Sequence, residues 1–478
     1  MTARPSWPVL APFAVFALLA AWIVLSVANA QAVGFSVFVL AVANLIVYTD
    51  ALDVALRLYM HRRHTAADGG IAERGQNRQL SVNLDALLPP SSLRGVPLAP
   101  FAIIASIYNL EDQIDEFMAT FAAHRERVWL ISDGSTDNTV LRLRQAGWRC
   151  VDEGINRRKP GAVRRLLAAL PQHIEIVMVI DPDIRIRGLH EGSSIDVERF
   201  VSDFRQSGAA AACPRLMIQP DGFLARFQAF EYALAFRVGR ESLGDFGITS
   251  GVSFYRRSML QRALDQHSLS VYAEDFENAL VLLGMGETIY YDGRLVVSTE
   301  GPGSPKRWFS QRVGWYHGLI KVYTERIPEV LRISHRSAFA AYHYLVYIGV
   351  LSLGLHLVKI MSGLLLILSF LAGIDALLFD HVMPQSALIH PGYFTAAVSS
   401  YLALGVIVLF TRVPKAERGY IAPIVPLYLC YAVVHIVPMT VGYGNFLALQ
   451  LWGRRIYQDH YERPADPDIV PDRLEVIE

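Results

Sequence analysis

The chain has 478 residues, 53% of them hydrophobic and 18% charged, with 44 Lys+Arg against 44 Asp+Glu and a mean hydropathy of +0.30. The even charge balance excludes a global field suited to nucleic acid or an acidic polymer, and the apolar excess points to a membrane region beside one catalytic domain. Three cysteines, Cys150, Cys213 and Cys430, are too widely spaced to read as a zinc site or disulfide framework, and are taken as unpaired thiols.

The first element is apolar. No Asp, Glu, Lys or Arg occurs from Pro8 to Thr49, and one span needs ~20 apolar residues. The stretch therefore holds two spans, with a turn near Asn29-Ala30-Gln31, and residues 1–56 are assigned to them. A signal peptide is disfavoured because a second span follows and no small-residue cleavage site precedes a soluble start. Arg57, Arg62, Arg63, Arg74 and Arg78 follow the second span, and the turn between the spans has no Lys or Arg. The positive-inside rule places the N-terminus and the middle segment in the cytoplasm.

Residues 57–303 are mixed in polarity and form the expected cytoplasmic domain. Phe101–Ile107, Val128–Ser132 and Ile174–Ile180 read as buried strands, with helices over Thr139–Ala146 and Gly161–Leu170. Alternating β and α elements predict a doubly wound, mainly parallel sheet, whose ligands sit beyond the carboxyl ends of the strands. Two of those ends are acidic: Ser132-Asp133-Gly134-Ser135-Thr136-Asp137, and Asp181-Pro182-Asp183. Either alone reads as an ordinary polar turn or helix cap. Both at one sheet edge point to a site, because two carboxylates one residue apart can hold a hard divalent cation that bridges a diphosphate. Asp133 is placed to accept hydrogen bonds from a base or ribose.

A Gly-containing turn, Thr249-Ser250-Gly251, then leads into a strand ending in Arg256-Arg257. Glu274-Asp275 opens a helix, where acidic residues also simply favour the helix N-terminus. Phe223, Phe227, Phe230, Leu234 and Val238 recur at helical spacing and read as core packing first, a membrane-facing stripe second. Residues 304–336 are expected to be amphipathic interfacial helices, with Trp308, Trp315 and Tyr316 among Lys306, Arg312 and Lys321, and to line a site as well. Residues 337–453 make three or four further spans, and 454–478 a cytoplasmic tail. The runs 337–374 and 421–453 are each long for one span and short for two. Lys359 reads equally as a channel-lining charge or a snorkelling side chain. His343 and His356 read as packing residues.

In this order the motifs resemble the processive, membrane-embedded members of glycosyltransferase family 2, the cellulose, hyaluronan, chitin and poly-N-acetylglucosamine synthases. The resemblance rests on Ser-Asp-Gly-Ser-Thr-Asp at 132–137, Lys-Pro-Gly-Ala-Val at 159–163, Asp-Pro-Asp at 181–183, Ser-Gly at 250–251 with Tyr-Arg-Arg at 255–257, Glu-Asp at 274–275, and Gln-Arg-Val-Gly-Trp at 311–315. It implies an α/β cytoplasmic GT-A-type (Rossmann-like) domain joined to an α-helical transmembrane region, in a bacterial inner (plasma) membrane. It also implies that Tyr108, Asn109, Asp133, Lys159, Asp181 and Asp183 bind a nucleotide-sugar donor, UDP being the usual carrier. Asp183 would hold Mg²⁺ or Mn²⁺, and Asp275 would be the general base. Glu274, Ser250, Gly251, Gln311, Arg312 and Trp315 would bind the diphosphate and a polysaccharide acceptor. The reaction implied is inverting transfer to a growing β-linked chain, exported through the protein's own spans.

Two positions depart from the family pattern. Its last motif is Gln-x-x-Arg-Trp, and here Gly314 stands where that arginine belongs, with Arg312 turned away on the helix. The first strand ends Tyr-Asn-Leu-Glu, so Glu111 receives no role. A single transfer to a lipid acceptor is the nearest rival reading, and a transporter with a nucleotide-binding domain is a more distant one.

Overall fold

A computed structural model describes residues 50, 52–60, 100–188, 191–268, 272–379 and 391–457. The two N-terminal spans expected before residue 50, the arginines at 62–78 and the tail beyond 457 lie outside the described residues.

The runs of apolar residues become strands because both faces of the sheet are covered. In β1 (Phe101–Ile107), Ala102 and Ile104 pack on one side while Ile103 and Ala105 pack on the other, the period of two that a pleated strand imposes. The following strands are β2 (Val128–Ser132), β3 (Cys150–Asp152), β4 (Ile176–Ile180), β5 (Arg185–Ile186), β6 (Ala211–Ile218), β7 (Val252–Arg256) and β8 (Ile289–Thr299). They form one eight-stranded sheet in the order β3-β2-β1-β4-β7-β6-β8-β5. The β3-β2-β1-β4 half is parallel. Strand β7 is a single reversed strand, antiparallel to β4 and to β6, after which β6 and β8 pair in parallel and β5 is antiparallel to β8. This is an α/β architecture, as expected from the sequence, built on a mixed sheet.

Helices α1 (Ile114–Phe121), α2 (Thr139–Gln145), α3 (Arg158–Ala169), α4 (Val197–Ser207), α5 (Phe223–Ala233), α6 (Arg257–Asp265) and α7 (Glu274–Gly284) accompany the sheet. Leu166, Leu264 and Leu280 of α3, α6 and α7 share one core, and Phe117 and Phe200 of α1 and α4 share the other. Strand β4 begins two residues later than expected and α3 begins three residues earlier; Arg158 starts that helix with φ +63.

Behind the sheet come α8 (Pro305–Glu325) and α9 (Ile327–Ser334). The long run from 337 divides into a π-helical stretch, Ala341–Gly354, and α10 (His356–Leu378), which accounts for its awkward length. Then come α11 (Pro391–Thr411), α12 (Lys415–Ile421), α13 (Tyr428–Val434) and α14 (Ile436–Trp452). Among the described residues, three helical stretches are long and apolar enough to cross a membrane: His356–Leu378, Pro391–Thr411 and Lys415–Trp452. The stretch Ala338–Gly354 is shorter.

The α5 stripe faces these helices. Phe227, Phe230 and Val238 pack with Trp308, Leu404, Val408 and Val425, while Phe223 is exposed. The α/β domain and the apolar helices therefore share a core, and α5 and α8 form the seam between them.

Candidate active site

The first acidic turn is braced from the end of β1. Asn109, at φ +46, accepts from the Thr136 amide at 2.7 Å and donates its own amide to Ser135 Oγ at 3.1 Å. Glu111, given no role from the sequence, accepts from the Asn138 amide at 3.1 Å and side chain at 2.8 Å. The Asp133 amide is held by the Ile107 carbonyl at 2.9 Å, and Asp133 Oδ1 accepts from the Arg157 amide. Gly134, at φ +75, lets the chain turn where a Cβ would press within 2.8 Å of the Asn156 nitrogen. Burial pushes the Asp133 carboxyl up to about 6, against the amides of Arg157 and Arg158. Tyr108 lies at the same strand end.

The second acidic turn opens into a cavity of about 450 Å³. Asp181, Asp183, Ser250, Gly251, Glu274 and Asp275 line it from the sheet side, and Gln311, Arg312 and Trp315 line it from α8. From Asp181 to Trp315 these groups are spread over 134 positions of sequence, and the fold brings them to one cavity. Gly251 is required by close approach: a Cβ there would fall 2.0 Å from Asp181 Oδ2. Ser250 spends its hydroxyl on the Val252 carbonyl at 2.9 Å and lies 3.1 Å from Cys213 Sγ, so it shapes the turn. Asp183 accepts from Thr299 of β8. Tyr108, Asn109, Asp133 and Lys159 are not among the residues lining this cavity.

Lys159 links the Asp181 turn to the start of α7. Its ammonium meets Asp181 and lies 2.7 Å from Glu274 Oε1. Burial alone would lower the Lys159 pKa, but the two carboxylates outweigh it and hold the amine well above its ordinary value. Glu274 is buried too, yet Lys159 keeps its carboxyl below the usual range. Asp275 lacks such a partner. Burial and the neighbouring Glu274 push it up to about 6, opposed by Arg240 and Lys159. Adjacent carboxyls are thus driven apart, one held as an anion and one poised to exchange a proton near neutrality, which is the arrangement acid–base chemistry uses. Ala273, at φ +59, turns the chain into α7 just before them.

The α8 wall explains the departure at Gly314. A Cβ at this position would lie 2.5 Å from the Tyr272 ring, so the helix has no room for the family's arginine. Arg312 is 1% exposed and stacks over Trp315, 4.0 Å from guanidinium carbon to ring centre. Its Nη2 donates to Glu231 Oε2 at 2.8 Å. Trp315 remains 37% exposed.

Sequence reasoning missed Gln228, Glu231, Arg240, Tyr272 and Thr299, all of which line the cavity. The available signal was Gln228 and Glu231, three residues apart on α5, which also carries Arg226 among mostly apolar residues. Glu231, Ala235, Arg240 and Tyr316 also line a second chamber, of about 510 Å³, set among the apolar helices. Asp50, Asp53, Arg57, Lys359 and Tyr401 face that chamber, and Lys359 is thereby placed on its wall. His343 meets Arg57 at 2.9 Å, and His356 meets Thr440 at 3.1 Å, so both histidines are engaged within the fold.

No family model and no curated protein matches the chain. Solved structures do. A mannosyltransferase from Pyrobaculum calidifontis in complex with GDP-Man and Mn²⁺ is 16% identical over 84% of this chain and 99% of its own, with a TM-score of 0.42. Glucosyl-3-phosphoglycerate synthase from Mycobacterium tuberculosis, in complex with Mn²⁺, UDP and phosphoglyceric acid, is 17% identical over 46% of this chain and 78% of its own, with a TM-score of 0.30.

Proposed function

We propose that the protein is a membrane-embedded, inverting glycosyltransferase that moves a sugar from a nucleotide-sugar donor to a growing β-linked polysaccharide, which leaves through the chamber among its apolar helices. The observation that carries this reading is the wall that the cavity shares with that chamber, made by Glu231, Ala235, Arg240 and Tyr316. The chamber is lined by Asp50, Asp53 and Glu231 against Arg57, Arg240 and Lys359, with Tyr347, Tyr401, Tyr428 and Tyr431 among them. Balanced charge and amphipathic rings suit an uncharged, hydroxyl-rich chain. In this reading the domain is cytoplasmic and the helices sit in the plasma membrane.

Asp183, on the cavity wall, would hold Mg²⁺ or Mn²⁺, with Asp181 beside it paired to Lys159. A hard cation of this kind is commonly held by one or two carboxylates, with substrate phosphates and water completing its shell. When bound, it supplies charge neutralisation to the departing diphosphate. The remaining roles belong to the chain. The Asp133 turn receives the nucleoside, and Tyr108 and Asn109 support it. Lys159 holds Asp181 and Glu274 in place. An acceptor hydroxyl, with its sugar stacked on Trp315, attacks the anomeric carbon as its proton passes to Asp275. The bond from that carbon to the diphosphate oxygen breaks, and in-line displacement inverts the configuration. Gln311 and Arg312 face the same space.

Ala235 lines both the cavity and the chamber and is exposed. Ala235→Cys in purified protein is expected to react with a small thiol reagent, and to be protected after donor and Mg²⁺ are added but not after UDP and Mg²⁺. Equal reactivity in both conditions would refute passage of product along this path.

A further inference from the structure

Asp275 stands at the second position of α7, and the chain enters that helix through Ala273 at φ +59. A residue with a Cβ keeps this left-handed conformation only where its surroundings fix it. Two sets of contacts do so, and both come from α8 or its C-terminal end, the helix that carries Gln311, Arg312 and Trp315.

The first is a notch. Gly314 and Gly318 are buried four residues apart on α8, and Tyr272 fills the space above them. A Cβ at Gly314 would lie 2.5 Å from Cε1 and Cζ of the Tyr272 ring. A Cβ at Gly318 would lie 2.6 Å from Tyr272 Cβ and 2.8 Å from its carbonyl carbon and oxygen. The backbone just before Ala273 is therefore pressed onto α8 at the turn that bears Trp315. Helix α8 is itself seated on α14, where Gly442 admits its backbone: a Cβ there would lie 3.0 Å from the His317 nitrogen and 3.1 Å from the Val313 oxygen.

The second is a buried carboxylate. Glu277 is fully buried and lines neither the cavity nor the chamber. It accepts from the Ser268 amide at 2.9 Å and hydroxyl at 2.7 Å, and from Arg326 Nη2 at 2.6 Å and Nε at 3.0 Å. His267 Nε2 stands 3.4 Å from Glu277 and 3.3 Å from the Glu274 carbonyl. Burial alone would raise the Glu277 carboxyl, but His267, Ser268 and Arg326 hold it below the usual range. Loss of one partner would leave buried charge uncompensated, so the α6–α7 loop, α7 and the end of α8 are held as a unit.

We infer that Tyr272 and Glu277 are positioning residues for the transfer reaction, which set the Asp275 carboxyl against a sugar on Trp315 by fastening the start of α7 to α8. The inference rests on the roles proposed for Asp275 and Trp315, and adds what fixes one relative to the other. It also gives Gly314 a task, because the absence of a side chain there admits the ring that holds the base-bearing turn.

The test is turnover of the full-length protein in lipid nanodiscs with Mg²⁺ and labelled UDP-glucose or UDP-N-acetylglucosamine. Sugar transfer and donor hydrolysis are read separately, and UDP affinity by calorimetry. Water needs no platform, so a base displaced from Trp315 loses transfer before hydrolysis. For Gly318→Ala, an ordinary contact of 3.4–4 Å requires the turn to retreat by roughly 1 Å, and misplacement of that size costs about 10²-fold. Transfer is expected to fall by that factor, hydrolysis by much less, with UDP affinity retained. Gly314→Ala meets only the ring, so it is expected to cost little further in a Tyr272→Leu background, whereas Gly318→Ala meets backbone and keeps its full cost there. Glu277→Gln is isosteric and carries the test if Gly318→Ala does not fold. It is expected to lower transfer about tenfold relative to hydrolysis, an effect well under that of an ångström of misplacement, and to keep the rise of rate through pH 6 that belongs to Asp275. Transfer and hydrolysis that fall in parallel, or wild-type transfer in Gly318→Ala and Glu277→Gln, would overturn the positioning role while the transfer reaction stands. A wild-type protein that moves no sugar would refute the transfer reading and this inference with it.

Discussion

The ionisation of Asp275 has a direct kinetic consequence. Its carboxyl titrates at about 6, because burial and Glu274 disfavour the anion. A base must be ionised to accept a proton, so the rate is expected to rise with pH through 6 and level off above 7. A single group of this pKa is ~91% ionised at pH 7 and ~9% at pH 5, which predicts a roughly tenfold fall in kcat over those two units. The measurement is kcat at saturating donor and Mg²⁺, where bound ligand holds the other acidic groups of the site in one state. Asp275→Asn should lower kcat by ~10²–10⁴-fold, the usual worth of a positioned base, and remove the acid limb. Arg240 lowers the Asp275 pKa, so Arg240→Gln should move the limb to higher pH. An acid limb centred near 4, or an Asp275→Asn enzyme with wild-type turnover, would refute the assignment.

Two further outcomes are expected. A chelator should abolish donor turnover, Mg²⁺ or Mn²⁺ should restore it, and Asp183→Asn should resist that rescue; full turnover in excess chelator would remove the metal from the mechanism. Gly314→Arg recreates the family motif in sequence, but its Cβ would meet the Tyr272 ring at 2.5 Å. Overpacking of this kind costs about 1–3 kcal/mol. The variant should melt earlier and make no longer product, and a Gly314→Arg enzyme with wild-type stability and longer chains would contradict that steric account.

The parallel half of the sheet was legible because its strands are continuous apolar runs bounded by turns, and β1 and β2 begin and end where the pattern predicts. The acidic motifs were legible for the same reason, since strand ends in such a sheet mark the ligand edge. The run from 337 could not be divided from sequence, because hydropathy does not distinguish π from α hydrogen bonding and no charge marks the break at Leu355. The departure at 314 was visible, but its cause was not: Tyr272 comes from another element, 42 positions away. Gln228, Glu231, Tyr431 and His435 were overlooked because they sit among apolar residues whose period reads as packing. Only the crossing of α5, α8 and the α13–α14 segment brings them to one place.

The central claim is transfer into a growing chain, and product size tests it most directly. Purified protein in lipid nanodiscs would be given radiolabelled UDP-glucose or UDP-N-acetylglucosamine with Mg²⁺, and the product sized and digested with linkage-specific β-hydrolases. The expected result is labelled polymer that those hydrolases degrade, shortened or lost in Trp315→Ala while UDP binding persists. Label confined to a mono-glycosylated lipid at saturating donor would contradict the claim.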